Sequence, residues 1–399
     1  MPSKLIILST ALVFIASAYR LWIQPTLIIF GQGRVIESLG TTGCTTVPAL
    51  SACEKIVLHA PTGVLYLACS SPASRAHWTP ALVQLNASGP DVDYLATYDP
   101  LTSTVARLQP SFPGLSVHGM DVVPSTSNSS ELFIYAVNHR KPEDRHTASM
   151  TGADSTIEIF KTTVGSTTLK HLRTLQDPVI LTPNDIVGSP DGDSFFFTND
   201  HSSKTSPMRY LSVLGLESGS VGYCHVQSGC KFAIKNIHGA NGIVRAPNNE
   251  SFYVSNSVFG GIAVLERQTD NALLKTHTIP TGAFFGARIA ASSSYVLLDR
   301  GIDNLSMDMD GVLWGPGFPY FTSIIKHIAD PSVVSPVSAH SIARNTGPGS
   351  FYGEKFKVTK VFEDDGTLAS GTTSVVHDPV RKRLFLHGIA SPHLTICPI

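Results

Sequence analysis

The sequence predicts an all-β fold, a six-bladed β-propeller that follows a hydrophobic N-terminal segment. Three observations support this prediction. A short aromatic or aliphatic strand pattern recurs six times at a nearly constant period. A turn sequence precedes each copy of the pattern. The chain also combines 32 glycines and 26 prolines with only 15% charged residues, a composition that favours many strands and tight turns over long surface helices.

The repeat is clearest in TPNDIVGSPDGDSFFFTNDH, from Thr182 to His201, where a polar start, an apolar strand, a turn and an aromatic strand follow one another. Successive copies of the aromatic or aliphatic strand begin 67, 63, 57, 61 and 71 residues apart. Such a period suits four strands with their loops, which is one propeller blade. Unrelated hairpins in a β-sandwich are the alternative, but they would not share a period and a turn position. The six strands are LYLAC at Leu65, LFIYA at Leu132, FFFTN at Phe195, FYVSN at Phe252, LWGPG at Leu313 and LFLHG at Leu384.

The first 30 residues form a separate hydrophobic segment, and residues 31–399 are expected to form the propeller. An apolar run follows Lys4 and ends at Tyr19, which is typical of a secretory signal, with Ala16-Ser17-Ala18 as a candidate cleavage site. The segment could instead be retained as a membrane anchor, or be buried against the fold. Either of the first two outcomes places the propeller in the secretory pathway, secreted or anchored on the lumenal or extracellular side.

Other features agree with export. Three acceptor sequons begin at Asn86, Asn128 and Asn249, and each is a candidate glycosylation site. The number of cysteines is even, which predicts disulfides in an exported chain. Sequence alone does not fix their connectivity. Spacing favours Cys224 with Cys230 across a tight loop and Cys53 with Cys69 across a hairpin, which leaves Cys44 and Cys397 near the two ends of the propeller.

Charge argues against one class of partner. The chain has 29 Lys and Arg residues against 30 Asp and Glu residues, and no basic stripe is visible in the sequence. Nucleic-acid binding proteins usually carry such a stripe. The sequence therefore predicts no nucleic-acid partner.

Polar residues recur where the first strand of each unit begins. The innermost strand of every propeller blade lines the central channel, so these ends should converge on one axis. Carboxylates and carboxamides gathered there would form an all-oxygen set that suits calcium, whereas zinc would require a Cys/His spacing that is missing from the sequence. Capping of local turns is the alternative for any one of these residues. The candidates for the ring are Glu54, Asn184, Asn241, Asp303 and Asn304.

Eight motifs between about Cys44 and Cys397 are similar to those of a known family. They are SVHGMDV, YAVNHR, STIEIF, PNDIVG, FFTNDH, GANGI, FYVSNS and DNLSMD. With these motifs the chain resembles the serum paraoxonase/arylesterase family, which consists of calcium-dependent lactonases built as six-bladed propellers. The resemblance implies that the five ring residues hold a catalytic calcium and that the two end cysteines are bonded. It also favours retention of the N-terminal segment as an anchor. Asn304 opens a formal sequon, but a channel ligand should be buried and unglycosylated.

The resemblance further implies a catalytic histidine pair. The matching residues are His118 in HGM and His139 in VNH. Histidines held by backbone hydrogen bonds are the alternative for both. Asp200, in TNDH, is expected to orient one of the channel histidines.

A second, structural calcium is where this sequence departs from the family. The resemblance implies ligands at Asp185 and at the carbonyl of Met120, together with an acidic residue where this chain has Lys55. A cation beside a divalent ion is unfavourable. We therefore expect the Lys55 ammonium to pair with Asp185 and to take the place of that calcium.

Together these features predict a calcium-dependent hydrolase of lactones or aryl esters, with a small-molecule substrate and possible membrane association through the N-terminus. No nucleophile elbow of the GxSxG type occurs, which disfavours a covalent serine esterase. A non-catalytic, calcium-stabilised propeller that acts as a binding or chaperone-like module is the alternative. A strictosidine-synthase-like propeller is a third possibility, against which the ring and the two histidines argue. The segment from Arg140 to Asp154 should be a surface loop. For the stretch from Phe318 to Val358 the sequence pattern predicts no particular structure.

Overall fold

Each of the six apolar segments of the repeat is a β-strand, and each is the second strand of a separate antiparallel sheet. The structure is a computed structural model that describes residues 2–279, 300–347, 350 and 355–399. The innermost strand of every sheet contacts the innermost strands of both neighbouring sheets. The innermost strand of the sixth sheet contacts that of the first sheet. The six sheets therefore close into a ring, and the predicted six-bladed propeller is confirmed.

Helices are short and lie outside the blades. The first of them, α1, is followed by a π-helical turn at Tyr19–Ile23, and short 3-10 helices occur at Pro80–Leu82, Arg145–Thr147 and Pro207–Leu214. Among the described residues, no helix has the length and apolar character needed to cross a bilayer. The α-helices are α1 Pro2–Ala18, α2 Gln24–Ile29, α3 Pro72–His77, α4 Ala148–Thr151 and α5 Phe321–Ala329.

The first half of the chain supplies one strand of the last blade and all of blades 1 to 3. Strand β1 is Thr45–Val47 and belongs to blade 6. Blade 1 carries an inserted two-stranded ribbon, and blade 2 has a fifth, parallel strand at its edge. Blade 1 is β2 Lys55–His59, β3 Val64–Cys69, β6 Tyr94–Asp99 and β7 Thr104–Arg107, with the ribbon β4 Trp78–Thr79 and β5 Gln84–Leu85. Blade 2 is β8 Gln109–Pro110, β9 Val117–Pro124, β10 Glu131–Arg140, β11 Asp154–Thr163 and β12 Thr168–Leu175. Blade 3 is β13 Pro183–Gly188, β14 Ser194–Asn199, β15 Gly219–His225 and β16 Gly229–Ile237.

The second half of the chain supplies blades 4 to 6 in the same order, from the channel outwards. Blade 4 is β17 Ala240–Arg245, β18 Ser251–Asn256, β19 Ile262–Arg267 and β20 Leu273–Ile279. Blade 5 is β21 Ser306–Met307, β22 Leu313–Gly317, β23 Val337–Arg344 and β24 Phe356–Asp364. Blade 6 is β25 Ser374–Asp378, β26 Arg383–His387 and β27 Leu394–Pro398, completed by β1.

The two ends of the propeller close the ring together. Strand β1 pairs antiparallel with β27, so that the outermost strand of blade 6 comes from the start of the propeller. A disulfide joins Cys44 to Cys397 beside this pairing. Disulfides also join Cys53 to Cys69 and Cys224 to Cys230. All three are the pairings that the sequence favoured.

The core lies between blades. One apolar cluster packs Tyr66 and Leu95 of blade 1 against Met120 and Ile134 of blade 2. Equivalent clusters lie between blades 2 and 3, 3 and 4, 4 and 5, 5 and 6, and 6 and 1. Burial of apolar surface is the main force that holds packed sheets together, so each blade depends on both of its neighbours.

Several connections pack on the channel end that carries the polar strand starts. The segment from Arg140 to Asp154, expected to be a surface loop, contains a 3-10 turn and α4. The unassigned stretch after Phe318 contains α5. The N-terminal segment also contacts this face, because Ile29 packs in a cluster with Phe259 and the Phe30 ring lies 4.8 Å from that of Phe321.

Candidate metal and catalytic site

Inner strands bring the predicted ring residues together. The carboxamide of Asn304 donates to Oε1 of Glu54 at 2.9 Å, although 250 positions separate the two residues. Thr373, at the start of blade 6, donates to the other carboxylate oxygen of Glu54 at 2.6 Å. Glu54, Asn184, Asn241 and Asp303 all line one cavity of ≈ 240 Å³. Five blades therefore place oxygen-bearing side chains at the same mouth of the channel.

Three equivalent bulges aim side chains into this mouth. In blades 2, 3 and 4, two consecutive residues of the inner strand lie opposite a single residue of the second strand, so the pairing register shifts by one residue there. The bulged pairs are His118-Gly119, Asn184-Asp185 and Asn241-Gly242. Bulges commonly redirect a side chain at a functional site. The sequence pattern gave no sign of them.

Two glycines allow the inner strands to approach closely. A Cβ atom at Gly119 would lie 2.3 Å from the carbonyl oxygen of Asn184, and one at Gly242 would lie 2.4 Å from the backbone nitrogen of Leu305. Any larger residue would push neighbouring inner strands apart. The glycines in HGM and NGI therefore serve the close packing that draws the ring residues together.

Four buried oxygens of the ring have no hydrogen-bond partner among the residues that the structure describes. They are Oδ1 of Asn184, Asn241, Asp303 and Asn304, and these residues are 3%, 8%, 7% and 1% exposed. Native proteins leave few buried polar atoms unpaired, and such atoms often mark the place of an ion. Within the described ranges, no three His, Cys, Asp or Glu side chains are grouped to hold a metal. The ring is of another kind, with two carboxylates and three carboxamides, and this hard oxygen set fits calcium.

The two carboxylates of the ring are strained electrostatically. Burial raises the pKa of Glu54 to about 7, although a hydrogen bond from Thr373 favours its ionised form. Burial, and then the nearby charge of Glu54, raise the pKa of Asp303 well above its usual range. Carboxylates that share a dry site repel each other unless a cation lies between them. A divalent cation would relieve both effects.

The two predicted catalytic histidines lie side by side. Their ring centroids are 5.2 Å apart, and both residues are buried. Nε2 of His118 lies 3.3 Å from Nδ2 of Asn184 and 3.8 Å from Oε1 of Glu54, at the edge of the ring. Nδ1 of His139 lies 2.9 Å from Oγ of Ser155, whereas its Nε2 has no hydrogen-bond partner.

Burial keeps both histidines uncharged near neutral pH. It lowers the pKa of His139 to about 4. Burial, and the repulsion that would arise if both rings were protonated, lower the pKa of His118 well below its usual value. A neutral imidazole has a free nitrogen lone pair, which a general base needs.

Asp200 makes its closest contacts with residues other than the paired histidines His118 and His139. It carries no hydrogen bond to His139 but pairs with His201 at 3.0 Å and lies 3.8 Å from Arg209. Although burial acts in the opposite direction, these neighbours hold the pKa of Asp200 below its usual range. Asp200 and His139 do line the same small cavity of ≈ 10 Å³, which has room for about one water molecule.

Sequence reasoning missed the residues that support the histidines. Trp78, in the ribbon inserted into blade 1, donates its indole N–H to the carbonyl of His139 at 2.8 Å. Asn138 accepts the backbone N–H of Ser116 and donates to Glu158. The ribbon has no counterpart in the repeat, so the pattern could not reveal the contact of Trp78.

Apolar side chains supply much of the remaining wall of this cavity, and Thr79, His201 and Arg209 also line it. The apolar residues include Val258, Phe318, Ile324, Ile328 and Ile389. Helix α5 contributes two of these residues, which explains why this region of the chain does not follow the strand pattern. The cavity thus has a polar floor at the ring and sides that are mostly apolar.

Lys55 and Asp185 lie immediately beyond the ring. Nζ of Lys55 is 2.6 Å from Oδ2 of Asp185, and the two side chains are 6% and 0% exposed. Met120, the third residue implied for a second calcium, is buried in the cluster between blades 1 and 2. The expected pairing of Lys55 with Asp185 is therefore present.

Comparison with known proteins agrees with this geometry. The family model described as "Arylesterase" matches residues 99–390. "Serum paraoxonase/arylesterase 2" of Gallus gallus is 26% identical over 62% of this chain and 60% of its own length. Its Homo sapiens counterpart is 25% identical over 67% of this chain and 65% of its own length. The matches thus span somewhat less than two thirds of these two relatives.

One solved structure supports the fold alone. The Malassezia sympodialis allergen Mala s 1 is similar with a TM-score of 0.51 and 10% identity, over 89% of this chain and 95% of that chain. The family match includes the inner strands of five blades and four of the five ring residues, whereas Glu54 lies before it. Since that match covers most of the propeller, the chain belongs to the arylesterase family of hydrolases.

Proposed function

We propose that this protein is a calcium-dependent hydrolase of lactones or aryl esters. The observation that carries the proposal is the set of four buried, unpartnered oxygens beside His118, at the floor of an apolar cavity. Such a floor can bind a cation, and such a cavity can bind the hydrocarbon part of an ester.

The ring residues would hold the ion through their side-chain oxygens. Calcium bound there would act as a Lewis acid and stabilise the negative charge that develops on the carbonyl oxygen of the ester. The hydrogen bonds from Asn304 and Thr373 fix both oxygens of Glu54 in place before any ligand arrives. The ligand set would be Glu54, Asn184, Asn241, Asp303 and Asn304.

His118 would act as the general base. It lines the cavity next to the ring and is held neutral by burial, so it can accept a proton from the attacking water. His139, whose Nδ1 meets Ser155, would position His118 and relay the proton. Asp303 is the alternative base, since burial raises its pKa and so makes its ionised carboxylate a stronger proton acceptor.

The apolar walls would bind the acyl or aryl part of the substrate. Phe318, Ile324 and Ile389 lie on the same cavity as the ring, so a hydrophobic group placed there leaves its ester carbonyl near the floor. Hydrophobic walls with a few polar groups are typical of small-molecule sites.

A hydrolysis panel tests the proposal. Purified protein should hydrolyse at least one member of a set of γ-lactones, δ-lactones, phenyl acetate and aryl phosphate triesters, and a chelator should abolish the activity. Restoring calcium should recover it. If no substrate is turned over while calcium still raises the melting temperature, the non-catalytic binding module is the better description.

We also propose that the protein is exported, with residues 1–30 as a signal or retained anchor. The three disulfides support this, because such bonds persist in oxidising compartments. Asn86, Asn128 and Asn249 are exposed and accessible to glycosylation, whereas Asn304 is buried. Glycosidase treatment of protein from a secreting eukaryotic host should lower its apparent mass, and an unchanged mass would contradict glycosylation.

A further inference from the structure

Successive residues of the inner strands face two different cavities. The first, described above, holds the oxygen ring. The second has a volume of ≈ 350 Å³ and lies next along the same strands. In blades 1 to 5, a residue in or shortly before the inner strand lines the first cavity, and a residue one or two positions later lines the second. The second set includes Lys55, Met120, Ile186, Ile243 and Leu305.

Lys55 occupies the level between these cavities. Its ammonium donates to Oδ2 of Asp185 at 2.6 Å and to the carbonyl oxygen of Leu305 at 3.2 Å. Oδ2 of Asp185 also accepts the backbone N–H of Ile243 at 3.0 Å. This single cluster therefore ties together blades 1, 3, 4 and 5.

The cluster leaves no suitable place for a divalent ion. Calcium binds oxygen ligands at roughly 2.3–2.6 Å, so an ion on Asp185 would lie against the Lys55 ammonium. Two cations at that distance repel strongly where the charged groups are buried. Lys55 is only 5% exposed and its Nζ is engaged by Asp185 and Leu305, so withdrawing it would leave a buried ammonium without partners. The residues present do not fit the second calcium that the family resemblance implies.

We propose that the Lys55 ammonium is a built-in cation that replaces a structural metal ion at this level, so that the chain holds one calcium rather than two. The lysine would neutralise Asp185 and join the blades without any dependence on metal. Depletion of calcium would then empty the oxygen ring, while the contacts of Lys55 with Asp185 and Leu305 stay intact. The proposal does not depend on the hydrolytic activity.

Replacing Lys55 should reverse the arrangement. Oδ1 of Asp185 has no hydrogen-bond partner, and it would be available to a metal once the ammonium is gone. Lys55→Asp supplies a second carboxylate at this level and should create a divalent-cation site. Lys55→Met removes the charge without supplying a ligand, so it serves as the matched control.

Calcium per chain is measured by metal analysis of full-length protein after equilibration with calcium and gel filtration. We expect one ion for wild type, one for Lys55→Met and two for Lys55→Asp. Melting curves give a second readout. As the calcium concentration is raised, the Tm of Lys55→Asp should rise a second time at higher concentration, and this second rise should be missing from the other two proteins. Lys55→Met should have a lower Tm than wild type.

Two tightly bound ions in the wild-type protein would overturn the proposal, and this result does not require any variant to fold. An unchanged count in folded Lys55→Asp would also overturn it. Wild type with no bound calcium would refute the proposed metal-dependent function instead. The inference about Lys55 would survive that result if Lys55→Asp bound one ion more than wild type.

Discussion

The hydroxyl of Thr198 donates to the backbone carbonyl of Asn241 at 2.6 Å, across the boundary between blades 3 and 4. The same hydroxyl accepts the backbone N–H of Asp185 at 3.0 Å. Thr198 lies opposite the bulge at Asn184-Asp185, so it fills the gap in the ladder. One side chain thus links two inner-strand positions that carry ring residues.

Blade 4 repeats this device. Ser255 lies opposite the bulge at Asn241-Gly242 and donates to the backbone carbonyl of Asp303 at 2.7 Å. In blades 3 and 4, the hydroxyl residue of the second strand therefore sets the position of the next ring residue around the channel. The geometry of the ring is built from one blade to the next.

Thr198→Val should weaken calcium binding at least tenfold, which corresponds to about 1.4 kcal/mol. The substitution keeps the shape but leaves the carbonyl of Asn241 and the N–H of Asp185 unpaired. Leaving a buried polar group unpaired costs about 1–3 kcal/mol of stability. Calcium titration and denaturant unfolding measure the two effects. Thr162→Val is the control, because the Thr162 hydroxyl donates to the carbonyl of Thr168 in blade 2, away from the ring. Unchanged calcium binding in Thr198→Val would refute the role of Thr198 in positioning the ring.

Asp303→Asn should lower calcium affinity at least tenfold and reduce hydrolysis in parallel. The change keeps the side-chain size but removes one of two negative charges from the ring, and the charge of the ligands tunes calcium affinity. Titration with a competing chelator measures the affinity. Asp270→Asn removes a carboxylate at an exposed pair with Lys231, and it should leave affinity unchanged. Equal affinities for wild type and Asp303→Asn would exclude Asp303 as a ligand.

His118→Gln should lower turnover at least tenfold, since general-base catalysis typically contributes about a hundredfold or more. Calcium affinity should change little, because the ring oxygens remain. Steady-state kinetics on the best substrate of the panel, with saturating calcium, gives the answer. His146→Gln, at an exposed position, is the matched control. Full turnover in His118→Gln would remove His118 from the mechanism and turn attention to Asp303.

The fold and the ring were predictable because both depend on a repeated pattern. Phe195–Asn199 reads as a strand since turn residues precede an aromatic run, and five similar segments support it. Once six blades are assumed, the starts of inner strands must meet, so Glu54 and Asn304 could be placed together despite their separation. Disulfide pairing followed the same logic of hairpins and ring closure.

The sequence could not predict the features that the repeat lacks. The ribbon with Trp78, the fifth strand of blade 2 and helix α5 are insertions with no counterpart in the other blades as far as the described residues go. Asp200 was expected to orient a channel histidine, and its contact with Arg209, which reaches it from a 3-10 helix, could not be foreseen from the repeat. Contacts of this kind depend on tertiary packing rather than on local pattern.

The contribution of His387 to stability should fall as pH decreases from about 6.5. Burial lowers the pKa of His387 to about 3, so the unfolded chain binds more protons than the folded chain between that value and 6.5. Its contribution is therefore present above pH 6.5 and is lost as pH falls. Denaturant unfolding at several pH values gives the free energy of unfolding as a function of pH. This free energy should change less steeply with pH in His387→Gln than in wild type, by up to about 1.4 kcal/mol per pH unit. An identical slope would exclude His387 as a source of the acid sensitivity.

Calcium should stabilise the protein more strongly as pH rises from 5 to 8. In the calcium-free protein, burial raises the pKa of Glu54 to about 7 and also raises that of Asp303, so the folded state binds more protons than the unfolded state above pH 4.5. Stability of that form therefore decreases as these groups ionise. A bound dication favours ionised carboxylates and removes this cost, so the difference in Tm with and without calcium should grow.

Because only the difference between the two Tm values is compared, the opposite effect of His387 largely cancels. Magnesium at the same concentration controls for ionic strength, and it should have a smaller effect because it requires a stricter octahedral geometry. Asp303→Asn should flatten the pH dependence of the calcium effect, since it removes one of the two ionising groups. A calcium effect that is constant or decreases towards pH 8 would show that Glu54 and Asp303 do not face the ion.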